Sequence, residues 1–151
     1  MKKSLSLLFI LGSLLLLFCF SQCKKDSGPV NIILWDKPLP VIQSYIKGTW
    51  KLQYVYGGLA PVKSFPQSDT YTTFSANWIT TRNSTGITLD TSIVWKKDTD
   101  IQGNSTWLLS YRYSLGYAFP IYMRVDQIHN DTLILGDNAY DGFGYFYSKS
   151  R

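Results

Sequence analysis

The chain has 151 residues, 45% of them hydrophobic and 16% aromatic, and its 15 basic and 10 acidic residues give a formal net charge of +5. Every acid is Asp, there is one His (His129), and both cysteines, Cys19 and Cys23, lie near the N-terminus. This composition excludes a disulfide-built scaffold and cysteine chemistry in the body of the chain, and the scattered basic residues form no stripe of the kind nucleic acid requires.

The first predicted element is an export signal over residues 1–22. Lys2 and Lys3 form a positive head, and Leu5 to Phe20 is an uncharged apolar run short for a membrane span. Ser21-Gln22-Cys23 closes it and resembles the bacterial lipobox, although Gln22 stands where Gly or Ala is usual. The resemblance implies acylation of Cys23 and a membrane partner reached through that lipid. An uncleaved anchor helix is the alternative. Residues 23–40 follow as a predicted tether containing Pro29, Pro38 and Pro40, with an apolar patch at Ile32-Ile33-Leu34-Trp35 suited to docking on the domain or on a membrane.

Residues 41–151 read as one domain, all-β after a short helical turn at Val41–Lys47. Dense aromatic and β-branched residues broken by Gly and Asn predict eight strands, at 48–56, 70–75, 78–82, 92–97, 105–113, 121–128, 132–136 and 142–149. Alternation places Trp50, Leu52, Tyr54 and Tyr56 on one face, Trp107, Leu109, Tyr111 and Tyr113 on another, and Met123 with Ile121 and Val125 on a third. Phe143, Tyr145 and Tyr147 share a face of the last strand. One dry and one wet side per strand is the mark of an antiparallel sheet, and eight such strands in series suit an up-and-down barrel or a sandwich.

Chemistry-bearing motifs are sparse. His129 sits beside Asn130-Asp131 in a predicted hairpin turn, and Asp137 to Gly142 lacks a ligand at Ala139 for a calcium loop. Asp98 and Asp100 are two apart without a partner for glycoside hydrolysis. No nucleophile, base or metal constellation emerges, so neither an enzyme nor a cofactor is expected.

Gly48-Thr49-Trp50, after a helical turn, resembles the opening Gly-x-Trp of lipocalins. Asn130-Asp131-Thr132-Leu133-Ile134-Leu135 and the Tyr-rich last strand resemble the lipocalin-like domains of Bacteroidetes lipoproteins. The resemblance covers residues 45–149. It implies an eight-stranded antiparallel up-and-down barrel, with Gly48 and Trp50 as structural residues at its closed end. It also implies a basic residue packed on that Trp, for which Lys149 and Arg151 are the candidates. The expected function is an outer-membrane lipoprotein of the cell envelope that binds a small apolar or aromatic ligand. Tyr54, Tyr56, Trp107, Tyr111, Met123 and Tyr145 would line its site. The alternative is a filled barrel serving as a protein- or glycan-interaction module. The periplasmic or surface face, the ligand's identity and the oligomeric state stay open at this point.

Overall fold

The computed structural model describes residues 28–59, 61–112 and 119–150; Cys23 and the predicted export segment lie outside them. Strand β1 (Ile32–Ile33) is followed by helix α1 (Leu39–Ile46), the long β2 (Gly48–Gly57) and the short β3 (Val62–Ser64). Then come β4 (Tyr71–Phe74), β5 (Trp78–Asn83), β6 (Gly86–Ser92) and β7 (Val94–Thr99). The chain ends with β8 (Ser105–Tyr111), β9 (Ile121–His129), β10 (Thr132–Asp137) and β11 (Phe143–Lys149).

These strands form one antiparallel sheet with the path β6-β5-β4-β2-β11-β10-β9-β8-β7. β1 adds to β9 and β3 adds to β2. The path curls so that the first long strand pairs with the last, Trp50 opposite Lys149 and Gly57 opposite Phe143. Its two ends, β6 and β7, do not pair with each other, yet only Ile93 separates them in the chain. The result is a curled half-barrel rather than the closed eight-stranded ring expected. Nine strands lie on the main path and two short ones beside it. β6 escaped notice because Gly-Ile-Thr-Leu-Asp-Thr-Ser looks polar, although Thr suits strands well.

The apolar stretch at 32–35 belongs to the fold, not to a loose tether. Ile32 and Ile33 pair with Ile128 and Gln127, and Leu34 is fully buried. The backbone N–H groups of Leu34 and Trp35 both donate to the Asp126 carbonyl, at 2.8 and 3.2 Å. The β9–β10 hairpin beside them turns through Asn130 (φ 48°) and Asp131 (φ 59°), the paired positive φ of a tight two-residue turn that Asn and Asp tolerate.

Helix α1 closes one end of the half-barrel. Pro38 and Pro40 suit its start, where backbone N–H groups have no helical partner anyway. Ile42 and Ile46, one turn apart on one face, are fully buried. Gly48 then redirects the chain at φ 120°, a conformation that side-chain-bearing residues rarely adopt. Trp50 follows, 1% exposed, its indole N–H donating to the Ile46 carbonyl at 2.7 Å. The Lys149 ammonium stands 5.5 Å from the indole ring, so a basic residue of the last strand does pack on this Trp. Phe74, Leu109, Val125, Leu133 and Leu135 continue the core above it.

Candidate functional site: a threonine- and tyrosine-walled cavity

The curled sheet partly encloses a cavity of about 250 Å³. Leu52, Phe74, Ile79, Leu89, Met123 and Leu135 supply its apolar surface. Thr70, Thr72, Thr81 and Thr88 form one polar wall, and Tyr111, Tyr145 and Tyr147 stand among the other lining residues. No lining side chain is charged.

Three of the four threonines, Thr72, Thr81 and Thr88, reach the cavity through strand geometry, and Thr70 stands just before β4. Thr72 and Phe74 alternate with the outward Tyr71 and Thr73 on β4, and Ile79 and Thr81 do the same on β5. Between β5 and β6 the register slips at Thr88, since Thr81 pairs with Leu89 but Arg82 with Ile87. That bulge turns Thr88 and Leu89 both toward the cavity and leaves Ile87 67% exposed.

The hydroxyl hydrogens of this wall are mostly engaged. Thr70 donates to the Ser68 carbonyl at 3.1 Å and Thr88 to the Thr81 carbonyl at 3.2 Å. Thr72 and Thr81 share one hydrogen bond at 3.1 Å. Three of four donors are therefore used. A hydroxyl carries one hydrogen and two lone pairs, so the wall presents mainly acceptors to anything inside. Across the cavity, the Tyr111 hydroxyl lies 3.8 Å from the Met123 sulfur, and the Tyr145 hydroxyl donates to the Asp137 carboxylate at 3.5 Å. Burial pushes the Asp137 carboxyl above its ordinary range, opposed by hydrogen bonds from the Phe143 N–H and the Tyr145 hydroxyl.

Of the six residues expected to line a ligand site, the structure brings Tyr111, Met123 and Tyr145 together at the cavity. Tyr54 and Tyr56 lie elsewhere. β2 carries a bulge at Gln53, where Leu52 opposes Tyr147 but Tyr54 opposes Phe146. The side-chain period is two, so one extra residue sends every later side chain to the other face. Tyr54 instead stacks on Phe146 outside, centroids 4.3 Å apart, beneath the Lys63 ammonium at 3.8 Å, and Tyr56 is 47% exposed. Trp107 packs half-buried against the core near the α1 end, away from the cavity lining.

Sequence reasoning passed over the threonines because it weighed aromatic rings. The signal was present as Thr72 two residues from Phe74 and Thr81 two residues from Ile79, which places each Thr on an apolar face. Among the described residues no group of three or more His, Cys, Asp or Glu is placed to hold a metal ion, and no helix is long and apolar enough to cross a membrane. Comparison with family models, with curated proteins and with solved structures returned no match.

Proposed function

We infer that this protein is a lipid-anchored, lipocalin-like binding module of the cell envelope that holds a compact, neutral ligand inside its half-barrel. The observation that carries the reading is the partly enclosed cavity of about 250 Å³, lined by apolar side chains and by hydroxyl acceptors. Small-molecule sites span roughly 300–1,000 Å³, so a volume just below that range suits something the size of a phenol or an indole rather than a long acyl chain. An ionised group would enter a charge-free interior unpaired, at a cost of several kcal/mol or more. An O–H or N–H on the ligand would meet the lone pairs of Thr72 and Thr81. The lining places no His, Lys, Asp or Glu beside its hydroxyls to act as a general base, which supports a reading of binding without catalysis.

The position of Lys149 on Trp50 supports the likeness to lipocalins, and the apolar run before Cys23 supports delivery to the envelope, with the outer membrane as the anchored surface. Titrating phenol, indole and benzyl alcohol against their carboxylate analogues tests the binding reading by thermal midpoint and calorimetry. Saturable binding of at least one neutral donor is expected, with benzoate and indole-3-carboxylate silent. Leu135→Phe, which fills the cavity from a fully enclosed position, should abolish it. No response from any neutral compound would remove the binding reading.

A further inference from the structure

A second site stands at the α1 end of the half-barrel, where the N-terminal segment pairs with β9. Two clefts adjoin there and share one wall, the half-buried Trp35. The smaller, about 320 Å³, is lined besides Trp35 by Gln102, Asn104, Arg124, Asp126 and Gln127. The larger, about 540 Å³, brings in Trp107, with Ser105, Thr106 and Lys97 along its edge.

The polar side chains of the smaller cleft form a network anchored below the surface. The Asp100 side chain is fully enclosed and accepts from Arg124 Nη1 at 2.6 Å, from the Asn104 N–H at 2.8 Å and from the Gln102 N–H at 2.9 Å. Arg124 Nη1 also reaches Gln102 Oε1 at 2.7 Å, while its Nε pairs with Asp126. Trp35 is fixed by its own backbone, its N–H on the Asp126 carbonyl and its carbonyl on the Thr106 hydroxyl at 2.7 Å. The Trp35 backbone and the guanidinium are thus held before any ligand arrives.

Several valences are left over. Arg124 Nη2, Gln102 Nε2, Asn104 Oδ1, the Trp35 indole N–H and the whole Gln127 amide take no hydrogen bond from the described residues. Both donors and acceptors therefore line the cleft beside Trp35. Within the smaller cleft the one guanidinium already faces two carboxylates, so no positive charge is left over there for an anion, and Lys97 stands only on the edge of the larger cleft. The set suits a partner that is neutral, offers many hydroxyls that both donate and accept, and carries a flat apolar face. A pyranose ring has this combination, with axial C–H groups on one face and hydroxyls around its rim. The second indole, Trp107 in the adjoining cleft, extends the surface beyond a single ring.

We propose that the Trp35 groove is a binding site for a neutral saccharide, with Trp35 as the stacking platform, the Arg124–Gln102–Gln127 rim reading hydroxyls, and Trp107 taking a following sugar unit. The site is independent of the interior cavity. An array of neutral mono- and oligosaccharides built from glucose, galactose, mannose and N-acetylglucosamine, alongside uronate and sulfated counterparts, tests it with the purified full chain. Retention of at least one neutral saccharide is expected, with longer oligomers held more tightly than their monomer. Trp35→Ala and Gln127→Ala should each weaken it tenfold or more, and Trp35→Phe should recover part of the loss. Gln127 carries no structural hydrogen bond through its side chain, so its variant keeps the test open if Trp35→Ala fails to fold. Leu135→Phe, which fills the cavity, should leave saccharide retention unchanged. An array with no neutral saccharide retained, stronger retention of the sulfated forms, or retention indifferent to both Trp35→Ala and Gln127→Ala would each overturn the proposal.

Discussion

Trp50 is the residue on which the closed end converges. Its ring lies between Ile46 of α1 and the Lys149 stem of β11, and its one polar atom is satisfied at 2.7 Å. Trp50→Ala removes a large enclosed side chain and orphans the Ile46 carbonyl at a helix end, so a loss of about 3–5 kcal/mol is expected in denaturant melts. Asp137 behaves in the opposite sense. Burial raises its folded-state pKa, so the folded protein holds this proton more firmly than the unfolded chain does. Ionised Asp137 therefore lowers stability above its folded pKa, and the penalty fades as pH falls through that pKa toward the ordinary carboxylate value. Asp137→Asn keeps an acceptor for the Phe143 N–H and cannot ionise. The variant should be at least as stable as the parent at pH 7, and their thermal midpoints should converge on acidification to pH 4. A parent that stays ahead at neutral pH would contradict this.

At the scale of elements, the bulges decide what faces what. Deleting Gln53 removes the extra residue, restores strict alternation along β2 and leaves Tyr54 and Tyr56 on the outer face opposite Phe146 and Gly144, so the Tyr54–Phe146 stack should survive with at most a modest change in thermal midpoint. The Leu34 segment makes a similar point about boundaries. Leu34→Ala should cost about 2–5 kcal/mol by the large-to-small rule, whereas a residue in a loose tether would tolerate it without change. Eight of the eleven strands were legible in the sequence because one wet and one dry face leave a period-two pattern. β6 was hidden by its threonines, and β1 and β3 were too short to carry a pattern at all. Half of the expected ligand residues reached the cavity. Tyr54 and Tyr56 did not because a bulge leaves no mark in composition. The threonine wall was missed because a hydroxyl-bearing side chain on an apolar face was not weighed as chemistry. Trp35 and the Asp100–Arg124–Asp126 network are brought together from segments nearly a hundred residues apart, which local patterning does not encode.

For the whole molecule, two proposed recognition surfaces sit on one small frame: an interior cavity with hydroxyl acceptors and a groove at the α1 end with two indoles. Their separation predicts additivity, so a phenol or indole bound inside should leave saccharide affinity at the groove unchanged, and the reverse. Anchoring belongs to this scale too. Cys23→Ala should move the protein out of the membrane fraction or arrest its processing, and a cleaved variant that still sediments with membranes would contradict lipidation at that residue.

The pairing of β2 with β11 also bears on how the protein is born. A chain that emerges N-terminus first, from a ribosome or through an export channel, presents Gly48–Gly57 early and its main partner Phe143–Lys149 last. Nearly a hundred residues must follow before Trp50 can be roofed by Lys149. Until then β2 can recruit only β3 and β4, and a large part of the core stays uncovered. Closure must therefore wait for β11, which leaves chaperones an extended apolar strand to hold until then. A chain stalled before Phe143 would yield not a slightly frayed half-barrel but a molecule whose first long strand still waits for its neighbour.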